Sequence, residues 1–204
     1  MPTQEVSFMD TFTGGRINPA TLKESDINIK DIAHSLALTC RFRGHCSTFY
    51  SVAEHSVRVS NITLKLLIED KARRFLSTSR EYTIGEAEYR TALLALLHDA
   101  AEAYTGDHPR GLKSSEQREL ESKVQGVIVK RLGLQGAYSE FIKKADNIML
   151  AMEGRDLMPT TAGWYLPESP LEEIIVPLEW RIAEEAFIAK FDSLQSLIIS
   201  HSKG

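Results

Sequence analysis

The dipeptide His98-Asp99 interrupts the segment TALLALLHDAAEAY, which is apolar on nearly every side and contains the longest uninterrupted apolar run of the chain, Ala92 to Leu97. A helix of that composition belongs in an interior. A carboxylate placed there is costly unless a cation or a set of donors compensates it. A neighbouring imidazole is one way to satisfy it, but two further residues change the reading. His55 falls on the stripe of Val52, Val59 and Ile62, and Asp146 lies one turn from Ile142 and Leu150 and close to Met149. Both therefore sit on or beside apolar faces. Each of the four residues taken singly has an ordinary structural explanation, whereas one divalent cation explains all of them together. Two imidazoles and two carboxylates form a mixed nitrogen and oxygen set suited to Mn, Co, Fe, Ni or Zn, with Mg less favoured because it prefers oxygen and water. A five- or six-coordinate ion would keep positions open for water and substrate.

The elements that must bring these residues together are helical. Ile29, Ile32, Ala33, Leu36, Ala37 and Cys40 follow an i, i+3, i+4 stripe. Capping boxes at Ser51 with Glu54, Thr83 with Glu86 and Ser114 with Gln117 announce three more helix starts. The first of these helices carries His55 and dissolves into the polar stretch after Glu69; the second runs from about Gly85 to Tyr104; the third ends with Lys130-Arg131 before Gly133. Further helices are expected over about 137–157 and 179–199, separated by a loop with Pro159, Pro167, Pro170 and Pro177 that also holds Trp164 and Tyr165. Val6, Phe8 and Phe12 before Gly14-Gly15 suggest a small N-terminal hairpin. The expectation is a mostly α, single-domain bundle of about six main helices spanning 1–204, with its core over about 27–157 and a C-terminal loop and helix over about 158–199. No βαβ alternation or Gly-rich phosphate loop is visible, which removes nucleotide folds of the Rossmann and P-loop kinds.

Composition narrows the functional classes. With 24 Lys+Arg against 28 Asp+Glu the formal charge is -4, which argues against a protein that coats a nucleic acid polymer. No segment approaches the roughly 20 apolar residues that cross a bilayer, and the first ten residues have no basic start or apolar core of a secretory signal. Cys40 and Cys46 lie outside any CxxC pair and are too few for a disulfide framework. A reducing cytoplasm, no membrane partner and a small-molecule ligand are the expectations. A homodimer is favoured over other assemblies, with the apolar last helix as its seam or else as the closure of the core.

The ordered set His55 in SVAEHS, His98-Asp99 in LLHDAAE and Asp146 in KKADN resembles the H...HD...D signature of the HD-domain metal-dependent phosphohydrolases. The longer segments RFRGHCSTFYSVAEHS, LLHDAAEAYTGDHPRGLK and KKADNIMLAMEGRDLM are similar to the branch containing the bacterial 5'-deoxynucleotidases and phage-encoded relatives, over roughly residues 11 to 195. The resemblance implies an HD-type helical bundle with one catalytic metal on His55, His98, Asp99 and Asp146, and leaves a second ion open. It also implies an acid in HDxxE, here Glu102. Helical spacing supports this independently, because Glu102 stands at i+4 from His98 and i+3 from Asp99. The TGD turn supplies a second acid, Asp107, and an Arg before the first ligand His maps to Arg41. Arg43 in RFRGHC is the competing fork for a phosphate, with Arg41 favoured. Lys113 in PRGLK is a weaker phosphate contact. Phe42 stands where related deoxynucleotidases place a Trp against the sugar, so deoxyribose selectivity is left open.

The implied reaction is metal-assisted hydrolysis of a nucleotide phosphoester. Glu102 would orient the attacking water or take its proton, Arg41 would neutralise phosphoryl oxygens, and Asp107 would protonate the leaving 5'-oxygen. The leading substrate is a deoxynucleoside 5'-monophosphate. A deoxynucleoside triphosphate cleaved at the same site is the enzymatic alternative, and a nucleotide-binding HD sensor without turnover is the non-enzymatic one.

Overall fold

The computed structural model describes residues 8–75, 83–108, 110–134 and 140–202. The expectations that fall on Val6 and Ala137 lie outside them. The chain opens with a two-stranded antiparallel hairpin, β1 (Met9–Asp10) and β2 (Arg16–Ile17), with Met9 opposite Ile17. Its turn is closed by the Thr11 amide donating to the Gly15 carbonyl at 2.8 Å, and Gly14 takes φ +87°, a conformation available to glycine without a Cβ penalty.

Seven α-helices follow among the described residues: α1 (Ile29–Leu38), α2 (Val52–Phe75), α3 (Glu86–Leu96), the single-turn α4 (Glu102–Thr105), α5 (Ser115–Arg131), α6 (Glu140–Leu157) and α7 (Trp180–His201). The architecture is the mostly α bundle expected from the periodicity. Helix α2 packs along α3 and α6, and α7 lies across α1, α2 and α3. The α7 stripe of Phe187, Phe191 and Leu194 closes a core with Ile32, Leu36, Leu93, Leu96 and Ile128. A second cluster gathers Tyr50, Val59, Ile142, Met149 and Met152. Helix α2 serves both, with Val52 and Ala53 in the first cluster and Val59 and Ile62 in the second. His55 stands between these two sets of anchors.

The helix starts follow local hydrogen-bond chemistry, with two departures. At α5 the box is complete: the Gln117 amide donates to Ser114 Oγ at 3.2 Å and the Ser114 amide to Gln117 Oε1 at 2.8 Å. At α2 Ser51 Oγ accepts from the Glu54 amide, but the Glu54 carboxylate turns away to Arg58 and to the Leu178 amide, tying α2 to the segment before α7. At α3 the start lies two residues later than Thr83 and Glu86 suggest, because Glu88 closes the turn by accepting from the Gly85 amide at 2.8 Å. Glu86 pairs with Arg90 on the surface instead. Helix α2 also continues past Glu69 to Phe75. Its polar residues ride outside, and Lys71 reaches Glu88 of α3 at 2.8 Å.

The largest departure is at the HD dipeptide. The continuous helix expected from Gly85 to Tyr104 ends at Leu96, and residues 97–101 form a tight turn before α4. The amides of Ala100, Glu102 and Ala103 donate to the carbonyls three residues back, Leu97, Asp99 and Ala100. The turn lifts His98 and Asp99 out of the regular ladder at the end of α3 while Ala95, Leu96 and Leu97 remain buried.

Candidate metal centre

Four side chains from three stretches converge. His55 on α2 and Asp146 on α6 face the α3–α4 turn that carries His98 and Asp99. His55 Nε2 lies 3.3 Å from His98 Nε2, 3.6 Å from Asp99 Oδ2 and 3.4 Å from Asp146 Oδ1. His98 Nε2 lies 3.2 Å from Asp99 Oδ2 and 3.9 Å from Asp146 Oδ1. Ligand atoms held about 2.1 Å from one ion at right angles to each other are about 3 Å apart. The donors of His55, His98 and Asp99, all within 4.8 Å of one another, fit one transition-metal ion, and Asp146 supplies a further oxygen beside both imidazoles.

Both imidazoles are turned the right way for that task. His55 Nδ1 donates to Glu153 Oε1 at 2.6 Å, and His98 Nδ1 donates to the Ala95 carbonyl at 2.7 Å. Carbonyl and carboxylate oxygens only accept, so these contacts fix the proton on Nδ1 and aim Nε2 of each ring into the centre. Burial makes the arrangement rigid, since His55 and Glu153 are both fully buried and Asp146 nearly so.

Glu153 was not singled out in the sequence. It follows Asp146 by seven residues on α6, two turns further along the same face. An acid recurring at that spacing beside Met149 and Met152 is the signal that could have found it. Its second oxygen accepts from Arg41 Nη2 at 3.1 Å. Arg41 Nη1 lies 3.5 Å from Asp99 Oδ2. Of the two forks in RFRGHC, Arg41 is thus the one turned inward, while Arg43 is exposed. Arg41 begins a 3-10 turn (Arg41–Gly44) in which Phe42 and Arg43 both take φ +54° and Gly44 takes +79°. Three consecutive left-handed residues are a strained conformation for the two with side chains. It is held by the Arg41 amide donating to the Tyr50 carbonyl and the Ser47 amide donating to Leu157.

The remaining sequence candidates surround this core. The Glu102 carboxylate is buried, with Oε1 3.3 Å from Lys113 Nζ and Oε2 without a partner. Lys113 is shared with Glu121 at 2.7 Å, so its ammonium is held between two carboxylates. Asp107 follows Gly106, which takes φ +80°, and its charge acts on both Arg41 and Glu102. The Phe42 ring packs at 5.7 Å between centroids against Trp164 from the proline-rich loop, and Arg41 lies 5.3 Å over the same ring. That loop comes so close to α6 that a Cβ on Gly154, the residue after Glu153, would stand 2.6 Å from Thr161 Cγ2. A cavity of about 430 Å³ between the hairpin, α1 and α4 includes none of the four converging residues. A smaller cleft of about 180 Å³ has His98 in its wall.

Electrostatics match the geometry. Burial raises the Asp99 and Asp146 carboxyls, but the imidazoles outweigh it and hold both well below the usual range. Burial depresses His98, yet Asp99 and Asp146 push it up to about 9. Glu102 is pushed up to about 9 by burial first and by Asp99 and Asp107 next, against the opposing pull of Arg41 and Lys113. A carboxyl with raised proton affinity beside a cluster of ligating groups is the arrangement expected of an acid or base in a reactive site.

Comparison with known proteins agrees with this picture. A model of the HD domain matches residues 52–178, a span that includes all four converging residues. The chain is 35% identical to the uncharacterized Escherichia coli protein YfdR over 198 residues, covering 94% of this chain and 98% of that protein. It is also 32% identical over 154 residues to an uncharacterized protein of Rhodobacter capsulatus, covering 71% of this chain and 70% of the other. Among the described residues no helix is long and apolar enough to cross a membrane.

Proposed function

The chain belongs to the HD-domain superfamily of metal-dependent phosphohydrolases, and from that premise we propose that it releases phosphate from deoxynucleoside 5'-monophosphates. One observation carries the hydrolytic reading: two imidazoles with both Nδ1 positions already committed turn Nε2 toward each other at 3.3 Å, beside two carboxylates. His55, His98, Asp99 and Asp146 would hold a divalent ion of the Mn, Co, Fe, Ni or Zn type. When bound, such an ion polarises a phosphoryl oxygen and makes water a stronger acid.

The chain's own residues would do the rest. Arg41 would offer its guanidinium to a phosphoryl oxygen beside Asp99 while Glu153 anchors Nη2. Glu102 would orient the attacking water through Oε2, which has no partner among the described residues, and would take its proton only after losing its own, a loss that the charge of a bound ion would favour. Asp107 would deliver a proton to the leaving 5'-oxygen. Lys113 would tune and position Glu102, and touch phosphate only by letting go of one carboxylate. Phe42, backed by Trp164, is the surface on which the sugar would rest.

Product analysis with dAMP and dATP, run separately with Mn, Co and Mg, tests the reading. Deoxyadenosine and phosphate from dAMP are the expected products. Triphosphate released from dATP with dAMP untouched would replace this substrate by the triphosphate alternative. Binding of both without cleavage in any metal would make the protein a nucleotide sensor.

A further inference from the structure

Cys40 and Cys46 flank the turn that carries Arg41, and their sulfurs face each other at 3.6 Å. Neither takes part in the site above. Both are free thiols and half-buried, so a small oxidant can reach them while bulk solvent is largely kept away. Among the described residues no third metal-ligating group joins them, which argues against a second metal centre. Cys46 Sγ–H points at the Arg41 carbonyl at 3.7 Å, while the Arg41 amide is fixed to Tyr50 at 2.9 Å. The backbone of Arg41 is thus held on one side by the thiol pair, and the five residues enclosed between the two cysteines, Arg41 to His45, include the strained Phe42 and Arg43.

We propose that Cys40 and Cys46 are a modification site: a hydroperoxide oxidises them to an intrachain disulfide that moves the Arg41 fork, and thiol reductants restore it. One thiolate attacks a peroxide oxygen, the O–O bond breaks, and water and a sulfenic acid result. The second sulfur then attacks the sulfenic sulfur, the S–S bond forms, the S–O bond breaks and a second water leaves. Two thiols and one hydrogen peroxide become one disulfide and two waters. A bond length of about 2.05 Å requires the sulfurs to close by about 1.5 Å from their separation of 3.6 Å. Closure removes the S–H donor from the Arg41 carbonyl and pulls on Cys40, the residue bonded directly to Arg41. Reversible thiol pairs of this kind are the form that disulfides take in reducing compartments.

The consequence for activity rests on Arg41 being the phosphate fork, and the test separates the two. The intact protein is treated with stoichiometric hydrogen peroxide, alkylated and digested with trypsin without reduction. Cleavage after Lys30, Arg41, Arg43 and Arg58 leaves Cys40 on peptide 31–41 and Cys46 on peptide 44–58. The expected result is a single linked species of the two peptides that separates on reduction with dithiothreitol. Two alkylated peptides, or sulfinic acid on either, overturn the modification site. In parallel, kcat/KM on the phosphoester that the reduced protein cleaves should fall roughly tenfold when one charged contact to phosphate is lost, and recover with dithiothreitol. A linked peptide with unchanged kcat/KM overturns the control of Arg41. If the reduced protein cleaves no phosphoester, the functional reading fails while the peptide map still decides the thiol pair. Cys46→Ser, checked for an unchanged melting curve, should lose both the linked peptide and the peroxide sensitivity.

Discussion

Glu153 Oε1 accepts from His55 Nδ1 at 2.6 Å while Oε2 of the same carboxylate accepts from Arg41 Nη2 at 3.1 Å. One fully buried side chain therefore sets the orientation of a proposed metal-ligating imidazole and of the proposed phosphate fork. Arg41 and His55 outweigh burial and keep the Glu153 carboxyl below its ordinary range. Glu153→Gln keeps the shape but offers one acceptor where two donors need one each. The expected outcome is a loss of metal affinity of about 10- to 100-fold, the usual worth of a group that orients a ligand. Isothermal titration with Mn or Co reads it. Glu153→Ala should in addition lower stability by about 3–5 kcal/mol, because the guanidinium is left buried beside a missing partner. Denaturant unfolding of the metal-free protein measures that. A Glu153→Gln protein with undiminished metal affinity would show that the imidazole needs no second carboxylate.

Which of these residues a sequence can expose follows from how each is held. His55, His98, Asp99 and Asp146 were legible because ionisable groups on apolar stripes contradict their surroundings. A shared cation is the joint solution that the sequence suggests, and the structure brings the four side chains together. Glu153 was harder to read, since an acid in MEGRDL looks like the polar end of a helix, and only its position seven residues after Asp146 places it inside. The break after Leu96 had no local signal. No Gly or Pro marks it, and the turn exists because the His98 imidazole takes the Ala95 carbonyl and the ladder tightens to three-residue bonds. The i+3 and i+4 spacing that placed Glu102 with the dipeptide assumed an unbroken helix. Glu102 nevertheless reaches the electrostatic neighbourhood of Asp99 and Arg41, carried there by the turn and α4.

Removing a ligand tests the centre most directly. His98→Ala should bind at most a small fraction of the metal bound by the parent protein, measured by elemental analysis after dialysis, and turnover should be lost with it. The helices should remain, because the Leu93, Leu96 and Leu97 anchors are untouched. Far-ultraviolet circular dichroism checks that. Full metal occupancy in the variant would place the ion elsewhere.

Glu102 carries opposing demands of stability and chemistry. Its carboxyl is raised to about 9 in the folded chain, largely by burial. A raised acid binds its proton more tightly when folded, so its contribution to stability is fully present below the unfolded value near 4.5 and is lost as the pH rises through about 9. Glu102→Gln stays neutral throughout. Its melting temperature, for metal-free protein, should match the parent at pH 4.5 and exceed it increasingly toward pH 9. The same substitution should slow turnover by roughly 10² to 10⁴, the usual worth of a positioned acid or base, while metal binding persists. A variant with near-full kcat would remove Glu102 from the reaction.

The metal-free centre holds a proton where the ion would sit. Burial pulls the His98 imidazole down, but Asp99 at 3.2 Å and Asp146 at 3.9 Å prevail and raise it to about 9. In the unfolded chain the same group titrates near 6.5. For the metal-free protein this contribution to stability is fully present below pH 6.5 and disappears as the pH rises through about 9. An ion must displace that proton from Nε2, because Nδ1 is committed to the Ala95 carbonyl. Metal affinity should therefore strengthen by about tenfold per pH unit for each proton displaced, and level off above the imidazole value. Titration calorimetry at pH 7.5 in two buffers of different ionisation enthalpy should show at least one proton released per ion bound, because, against burial and Arg41, Glu153 and Asp146 raise the His55 imidazole as well. At pH 9.5 the same pair of buffers should give nearly equal heats. Equal heats already at pH 7.5 would mean that the imidazole is neutral before the ion arrives, and that the carboxylates around it are screened more strongly than their distances imply.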